Sequence, residues 1–331
     1  SLMIKKVLIY NSGGGIGDSL QILPLIQTLK KELKSTNFYY LSSHDNHFNT
    51  TLKDFKCEID TLDLKMKYFG FRWWHYFFVN NKINRSNIDY FDLIIDLQSK
   101  LRNTIILKKI PHKIFISTCF NFMFTKPSFK IKKSKKIINT VIDSINTVYE
   151  SSYQIEDFNI NNIDKIFSDE ARRLLPNKNY VGFSITQGNV YRKKQWPLEN
   201  IIKISNIFVS KNKVPVFFIE KKYEQLKNEI KKAIPSALFP EHDTNLNSPA
   251  LVTCLGSRLN FVITIDNGVM HMLSLSKVPM ISLFGPTDSD KFAPNYKNSL
   301  VLDSKKIYKS KNVSDITVED VLQASKQLSN F

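Results

Sequence analysis

Several residues that could carry chemistry follow short apolar runs, where strands are expected to end. Asp18 comes directly after a glycine-rich turn, residues 13–17, which follows a strand predicted over residues 6–10. Such a turn lets a ligand approach the backbone and offers helix amides to an anion. The dinucleotide fingerprint would need glycine at position 18, where a carboxylate would repel a pyrophosphate. Asp18 fits a general base for a hydroxyl group, and a simple helix N-cap is the alternative.

A second group of candidates is basic. Arg192 and Lys194 lie between a strand predicted over residues 181–185 and a helix predicted over residues 198–209, and Thr186 lies at the start of the same connection. Basic side chains at the carboxyl end of a parallel strand can neutralise phosphates. Solvent-exposed lysines are common in proteins. The evidence for phosphate binding is therefore the position of this cluster, between a predicted strand and a predicted helix.

A third candidate turn combines Asp266, Asn267 and Gly268 after a predicted strand, with His271 following in a predicted helix. Ordinary helix capping explains these residue types. The functional interpretation is a diphosphate or ribose site that uses the amides at the start of the helix. A lone histidine on a helix is usually structural, so His271 is the weakest member of the group.

The fourth turn holds Thr287, after another predicted strand over residues 280–284. Asp288 and Asp290 follow and form a D-x-D pattern, which can hold a divalent metal ion between carboxylates and phosphates. We expect a loop with solvated carboxylates there instead.

These residues require a framework of alternating strands and helices. A strand, the glycine turn, a helix over residues 20–33 and a strand over residues 38–41 are typical of the start of a doubly wound α/β domain. The alternation restarts near residue 177, and residues 154–176 have the composition of a linker. We therefore predict two α/β domains, at residues 1–165 and 177–314, and a capped final helix within residues 315–331.

Composition narrows the class of protein. The 331 residues include 47 Lys and Arg against 30 Asp and Glu, for a net charge of +17. This surplus favours an anionic partner, although a compositional bias toward lysine explains it equally well. We predict no nucleic-acid partner, because zinc-ligand spacing, RNA-binding aromatic signatures and basic helical repeats are absent from the sequence. Three widely spaced cysteines and the lack of an 18-residue apolar run predict a cytoplasmic protein, soluble or peripheral on a membrane.

Taken in order, these motifs resemble glycosyltransferase family 9, the heptosyltransferases of lipopolysaccharide core synthesis. The resemblance covers almost the whole chain and is carried by residues 15–18, 23–25, 92–98, 194–197, 266–271 and 284–288. It implies a GT-B architecture with two Rossmann-like domains facing each other across a cleft. The acceptor would bind the first domain and an ADP-sugar the second, and the final helix would cross back to the first domain. Inverting transfer without a metal ion or other cofactor is also implied.

The resemblance assigns roles to individual residues. Asp18 matches the general base, with Gly17 beside it, and Lys194 matches the phosphate-binding lysine, with Arg192 as a weaker helper. Glu220 is a loosely aligned candidate for a hydrogen bond to the ribose. The remaining donor-site residues are Thr186, Asp266, Asn267, Gly268, His271 and Thr287.

Two departures from the family pattern concern the donor. Asn267 stands where many relatives have Thr or Ser, and Ser99 stands where glycine is common. These differences leave open a relative that uses another nucleotide-sugar, such as a hexosyl- or N-acetylhexosaminyltransferase. A catalytically idle nucleotide-sugar-binding protein is the second alternative, and the presence of both Asp18 and Lys194 argues against it.

Residues 68–79 are rich in aromatic side chains and include Arg72 and His75. They form either an interfacial element that enters lipid headgroups or a buried wall of the first domain. Together with the basic residues 126–136 they suggest peripheral docking on the inner face of the inner membrane. An anionic, lipid-linked glycan acceptor would be presented there.

Overall fold

A computed structural model describes residues 3–11, 13–66, 72–85, 90–186 and 194–329, with backbone only for residues 81–85. The chain divides into two compact units, Ser1–Phe158 and Asn159–Phe331. Each is an α/β unit with its own five-stranded parallel sheet. Two α/β domains were predicted from the alternation of elements, and this prediction is confirmed.

The sheet of unit 1 has the order β3-β2-β1-β4-β5. Its strands are β1 (Lys6–Asn11), β2 (Asn37–Ser42), β3 (Asp60–Thr61), β4 (Phe91–Asp96) and β5 (His112–Ser117). The helices are α1 (Ile16–Glu32), α2 (His75–Arg85), α3 (Leu101–Leu107) and α4 (Ile137–Tyr149).

Central strands of this sheet are continuous apolar runs. Residues 7–11 of β1 are buried, and Val7 pairs with Phe38 on one side and Leu93 on the other. A parallel sheet covered on both faces requires such runs, because both sets of side chains are removed from water. Since all strands are parallel, their carboxyl ends meet at one edge, where the glycine turn begins.

Unit 2 has the sheet order β10-β9-β8-β6-β7. Its strands are β6 (Tyr180–Ser184), β7 (Val214–Phe217), β8 (Phe261–Ile265), β9 (Met280–Phe284) and β10 (Ser299–Asp303). The helices are α5 (Lys165–Leu174), α6 (Leu198–Ser210), α7 (Glu224–Ala233), α8 (Pro249–Gly256), α9 (Gly268–Ser274), α10 (Ser289–Phe292), α11 (Ser304–Tyr308) and α12 (Val318–Leu328).

The boundary between the units differs from the predicted one. Residues 154–176 were expected to form a linker, but α5 lies within this stretch and packs against α8. Phe167, Ala171 and Leu175 are buried. Their apolar spacing lies among many polar residues, which explains why composition alone indicated a linker. The structural boundary lies between Phe158 and Asn159.

The final helix, α12, begins with the predicted capping box. The Thr317 hydroxyl accepts a hydrogen bond from the Asp320 amide at 3.0 Å, and the Asp320 carboxylate accepts one from the Thr317 amide at 2.9 Å. The buried residues Val321 and Ala324 join the apolar core of unit 2, and α12 contacts α6, β9 and β10. These contacts place the helix in unit 2, whereas the sequence analysis assigned it to the first domain.

Within the described residues no helix is both long enough and apolar enough to cross a membrane. The three cysteines are buried free thiols.

Candidate active site

Asp18 is the third residue of α1 and is partly accessible to solvent. The N-cap of this helix is Gly15, so the N-cap interpretation of Asp18 is wrong. A carboxylate in the first turn is favoured by the partial positive charge of the helix N-terminus. Asp18 is therefore held as an accessible carboxylate at the carboxyl edge of the sheet.

Two glycines before Asp18 are required because neighbouring side chains lie very close to the backbone there. A Cβ atom on Gly13 would lie 2.4 Å from Cγ of Asp18, and one on Gly14 would lie 2.4 Å from the His44 ring. Distances below 3.0 Å do not occur for real Cβ atoms. The glycine turn therefore lets Asp18 and His44 pack directly against the backbone, and Gly17 continues it into α1.

Histidines from the end of β2 complete this edge, and the sequence analysis missed them. The Nε2 atom of His47 lies 3.0 Å from the carbonyl oxygen of Gly14. Next to His44 a cavity of about 640 Å³ opens between the segments that follow β2 and β3, lined in part by Asp45, Asp63 and Lys65. This volume falls in the range of small-molecule sites. The His-Asp-Asn-His run at residues 44–47 was the available signal.

The turn after β4 is organised by Asp96, which is buried. Its carboxylate accepts hydrogen bonds from the Gln98 and Ser99 amides, both at 3.0 Å, and from the Thr104 and Ser117 hydroxyls. Ser99 has a φ of 54°, in the left-handed region that favours glycine. The backbone therefore explains why glycine is common at this position in the family that the sequence resembles.

In unit 2, three predicted site residues come together at the carboxyl edge of the sheet. Nζ of Lys194, after β6, lies 3.0 Å from Oδ2 of Asp266, after β8. The Thr287 hydroxyl, after β9, donates to the same oxygen at 2.8 Å. Because β9, β8 and β6 are neighbours in the sheet, residues far apart in sequence meet at one point. The carboxylate of Asp266 thus orients the amino group of Lys194.

Asn267 fixes the turn between β8 and α9. Its side-chain oxygen accepts from the Met270 amide at 2.8 Å, so it is the N-cap of α9. Its amide nitrogen donates to the Ser184 hydroxyl at 2.9 Å and to the Thr186 carbonyl at 3.0 Å. Both polar ends of the side chain are engaged within the protein. The capping interpretation is therefore confirmed, and a direct donor contact stays a prediction.

A lysine that the sequence analysis did not select supports the Thr287 turn. Nζ of Lys305 donates to the carbonyl oxygens of Gly285 and Thr287 and lies 3.0 Å from Oδ1 of Asp303. Burial acts to raise the pKa of Asp303, but hydrogen bonds from Ser289 and Lys305 outweigh it and lower that pKa. The carboxylate therefore stays charged and holds Lys305 under the turn.

The other predicted residues of unit 2 differ in their surroundings. Gly268 begins α9 and borders open space, since a Cβ atom there would meet nothing within 4 Å. His271 is buried in α9, and Glu220 is exposed beyond β7, where its carboxylate lies 3.4 Å from Lys222. Arg192 lies outside the described residues.

Both carboxylates of the D-x-D pattern are exposed to solvent, as expected, but they lie at the start of a short helix and not in a loop. Asp288 is the N-cap of α10, and Asp290 forms an ion pair with Lys306 at 2.9 Å. In the described part of the chain, no three His, Cys, Asp or Glu side chains are grouped closely enough to hold a metal ion.

Comparison with known proteins decides the family. The family model for glycosyltransferase family 9 (heptosyltransferase) matches residues 83–322. The chain belongs to glycosyltransferase family 9. In this family 9 glycosyltransferase, the donor-site residues predicted in unit 2 all lie within the matched range. Gly17 and Asp18, in unit 1, precede the start of the match at residue 83.

Individual relatives agree with this assignment. Lipooligosaccharide heptosyltransferase 2 of Haemophilus influenzae is 29% identical over 106 residues, and the match spans 30% of this chain and 30% of that relative. A family 9 glycosyltransferase structure from Veillonella parvula superposes with a TM-score of 0.69 at 19% identity, covering 99% and 98% of the two chains. E. coli heptosyltransferase WaaC with ADP gives a TM-score of 0.66 at 16% identity, covering 98% and 100%. The predicted GT-B fold class of this family 9 glycosyltransferase is confirmed.

Proposed function

We propose that this family 9 glycosyltransferase moves a heptose from ADP-heptose to a lipopolysaccharide-core or related glycan acceptor, with inversion and without a metal ion. The observation that carries the proposal is the convergence of Lys194, Asp266 and Thr287 at the carboxyl edge of β6, β8 and β9. A fold relative, WaaC, has been solved with ADP and with ADP-2-deoxy-2-fluoro heptose. That edge is where nucleotides bind in open α/β sheets.

The reaction is a single displacement at the anomeric carbon. The acceptor hydroxyl oxygen forms the new bond to that carbon while the bond to the β-phosphate oxygen breaks. Asp18 accepts the hydroxyl proton, and ADP leaves with the bonding electrons. A displacement on the opposite face of the carbon inverts its configuration. General-base catalysis of this kind contributes about 10²- to 10⁴-fold to the rate.

Negative charge develops on the diphosphate as it leaves, and Lys194 is the residue proposed to stabilise it. Its amino group is pre-oriented by Asp266, so little reorganisation is needed when charge appears. Thr287 shares the Asp266 carboxylate and keeps it from turning toward the phosphates. The positively charged side chain would thus perform the role that a divalent cation has in other transferases.

The acceptor is proposed to bind unit 1, where the cavity next to His44 opens. The lining combines Lys65 with Asp45 and Asp63, and polar Ser42 and Asn46. Such a mixture suits hydroxyl-rich sugars, which need both donors and acceptors of hydrogen bonds. The acceptor would be an anionic lipid-linked glycan, reached from the cytoplasmic face of the inner membrane.

Calorimetric titration with ADP, UDP, GDP and CMP, with and without Mg²⁺, tests the donor site. We expect selective ADP binding that needs no Mg²⁺. Lys194→Ala should weaken ADP binding by about 10- to 100-fold, because a hydrogen bond to a charged group contributes about 1.5–3 kcal/mol. The exposed lysine of α6 supplies the matched control, Lys203→Ala, which should bind ADP like the unmodified protein.

Two results would contradict the proposal in different ways. A preference for UDP or GDP would mean that the donor is another nucleotide-sugar and not ADP-heptose. The assignment as a glycosyltransferase would be unchanged. Equal ADP affinity of Lys194→Ala and Lys203→Ala would remove Lys194 from the donor site.

A further inference from the structure

Helix α2 is apolar on two sides, although only one side is buried. His75 and Val79, one turn apart, face the interior of unit 1 and are buried. Phe77 and Phe78 on the helix are 75% and 49% exposed, and Trp73 and Trp74 just before it are 55% and 54% exposed. A surface helix normally carries polar residues on its outer side. The exposed aromatic residues therefore need a partner that is not water.

The loop after β5 presents two more apolar side chains. Phe120 and Met123 are 58% and 69% exposed, while Phe122 between them is buried. Residues 120, 121 and 122 all have left-handed backbone conformations, with φ of 45°, 52° and 66°. These conformations are unfavourable for residues other than glycine, and here the loop that adopts them exposes two large apolar side chains.

Contacts connect this loop to α2 as one surface. Nζ of Lys109 lies 4.7 Å from the ring centre of Tyr76 in α2. The neighbouring Lys108 donates to the carbonyl oxygen of Phe124, and Phe124 contacts the Phe120 ring at 6.3 Å. Tyr76 and Phe124 pack against the same apolar cluster of unit 1. We call this surface the aromatic edge: Trp73, Trp74, Phe77, Phe78, Phe120 and Met123.

Two stretches of the chain that include the aromatic edge are basic, and the segment between them contains β4 and also Asp89, Asp92 and Asp96. Residues 64–88 contain five Lys and Arg and no Asp or Glu, and residues 97–142 contain eleven Lys and Arg and again no Asp or Glu. Burial lowers the pKa of Lys108, and the positive charge of Lys126 lowers it further. Lys133 lies 5.7 Å from the ring centre of Phe122. Positive charge is thus concentrated beside the exposed aromatic residues.

We propose that the aromatic edge docks on an anionic lipid bilayer, with the aromatic side chains at headgroup level and the lysines on the lipid phosphates. Aromatic residues prefer the membrane–water interface, and each basic residue near an anionic surface contributes about tenfold or less in affinity. A second copy of the chain is disfavoured as the partner, because a two-fold contact would bring the same basic residues together. This inference concerns where the enzyme works and does not depend on the donor sugar.

Tryptophan fluorescence gives a direct test. The chain has three tryptophans, two on the aromatic edge and Trp196, which is buried in unit 2. Vesicles of phosphatidylglycerol with brominated acyl chains should quench the emission of Trp73 and Trp74. Vesicles of phosphatidylcholine with the same brominated chains should not quench it. Sedimentation with the same vesicles measures the affinity.

Two double variants separate the aromatic and the electrostatic contributions. Phe77→Ser with Phe120→Ser keeps both reporter tryptophans and should weaken vesicle binding at least about tenfold, since exposed apolar area is removed. Lys126→Gln with Lys133→Gln should weaken it by about 30-fold, from about 1 kcal/mol per basic residue. Matched controls on unit 2, Ile166→Ser with Ile307→Ser and Lys211→Gln with Lys232→Gln, also change exposed residues and should bind normally.

The proposal is overturned by equal binding to neutral and anionic vesicles, or by unquenched tryptophan emission on bound protein. It is also overturned when the Phe77→Ser, Phe120→Ser variant binds like the unmodified enzyme. A failure of ADP binding in the calorimetric experiment would leave these results unaffected, so the two proposals are tested separately.

Discussion

At the scale of single residues, the candidate donor site is held together by short-range electrostatic interactions between side chains. Lys194 and Asp266 are both partly buried, so their interaction is screened less than a surface pair would be. Removing Lys194 alone would leave a carboxylate next to the proposed phosphate position. For that reason we expect Asp266→Asn to affect donor binding less than Lys194→Ala.

Asp18→Asn tests the general base. The substitution keeps the shape of the side chain but removes its ability to accept a proton, so kcat should fall by about 10²- to 10⁴-fold. ADP affinity should stay unchanged, because Asp18 belongs to unit 1 and the proposed donor residues to unit 2. Steady-state kinetics and calorimetry on the same preparation measure both quantities. Asp60→Asn, at an exposed carboxylate of β3, is the control, and a loss of activity there equal to that of Asp18→Asn would refute the assignment.

Glu241 makes the stability of unit 2 depend on pH. Burial raises its pKa to about 7; a hydrogen bond from Asn247 opposes this, and the charge of Glu220 adds to it. The folded state retains a proton that the unfolded chain releases near pH 4.5, so stability falls as pH rises from about 4.5 to 7. Glu241→Gln should therefore match the unmodified protein at about pH 4, where the carboxyl group is largely protonated in both states. At pH 8 its free energy of unfolding should be greater by an amount on the order of 1–3 kcal/mol.

Urea denaturation at the two pH values checks this expectation. Glu229→Gln, on the exposed side of α7, should show no such pH-dependent difference. An equal effect of both substitutions would mean that general charge repulsion, and not the burial of Glu241, controls the pH dependence.

At the scale of secondary-structure elements, the site residues are positioned by the starts of helices and by the turns that precede them. Gly15 and Asn267 are the N-caps of α1 and α9, and each helix starts directly after the turn that carries site residues. Lys305, at the start of α11, supports the Thr287 turn from below. The central strands are largely buried, so the candidate chemistry lies in the connections at their carboxyl ends.

Thr317→Ala tests how much the capping box contributes to α12. The loss of the side-chain hydrogen bond to the Asp320 amide should lower the free energy of unfolding by about 1 kcal/mol. Denaturant titration measures this change, and Ser314→Ala, at an exposed hydroxyl nearby, should have little effect. A change below a few tenths of a kcal/mol for Thr317→Ala would show that the packing of Val321 and Ala324 alone holds the helix.

At the scale of the whole molecule, the two units have separate sheets and separate apolar cores. The position of their boundary is decided by α5, which the sequence analysis treated as linker. Its residues Phe167 and Ala171 are buried in unit 2. An aromatic residue buried in this way contributes about 2–3 kcal/mol.

Fragments of different length test this boundary. We expect residues 159–331 to unfold cooperatively, and residues 177–331 to be less stable by about 3 kcal/mol or more, because the shorter fragment exposes the α8 surface that α5 covers. Calorimetry of both fragments measures the difference. In the full chain, Phe167→Ala should lower the transition of unit 2 alone, and an equal stability of the two fragments would assign α5 to a linker after all.

Sequence reasoning succeeded where a local pattern was sufficient. The central strands of both sheets are apolar runs, and the glycine turn before α1 has a required composition, whereas the edge strands β3 and β10 are short or partly exposed and were not predicted. It failed for α5, because Phe167 and Ala171 are isolated in a polar segment. It also failed for the N-cap alternative of Asp18, because α1 begins within the glycine turn and its N-cap, Gly15, lies three residues before Asp18. His44 and Lys305 were missed because their partners, Gly14 and the Thr287 turn, are distant in sequence.

The sequence by itself determined the two α/β units, the family resemblance and the identities of Asp18, Lys194 and Asp266. Apolar periodicity and turn composition are local properties, so they can be read without knowing the fold. Only the tertiary structure decided which of these side chains meet. The Lys194–Asp266 pair joins residues 72 positions apart, and α2 exposes its aromatic residues because only one of its sides finds space in the core. Both outcomes depend on how parallel strands align their ends and on which surfaces remain uncovered, and neither is encoded in a short stretch of sequence.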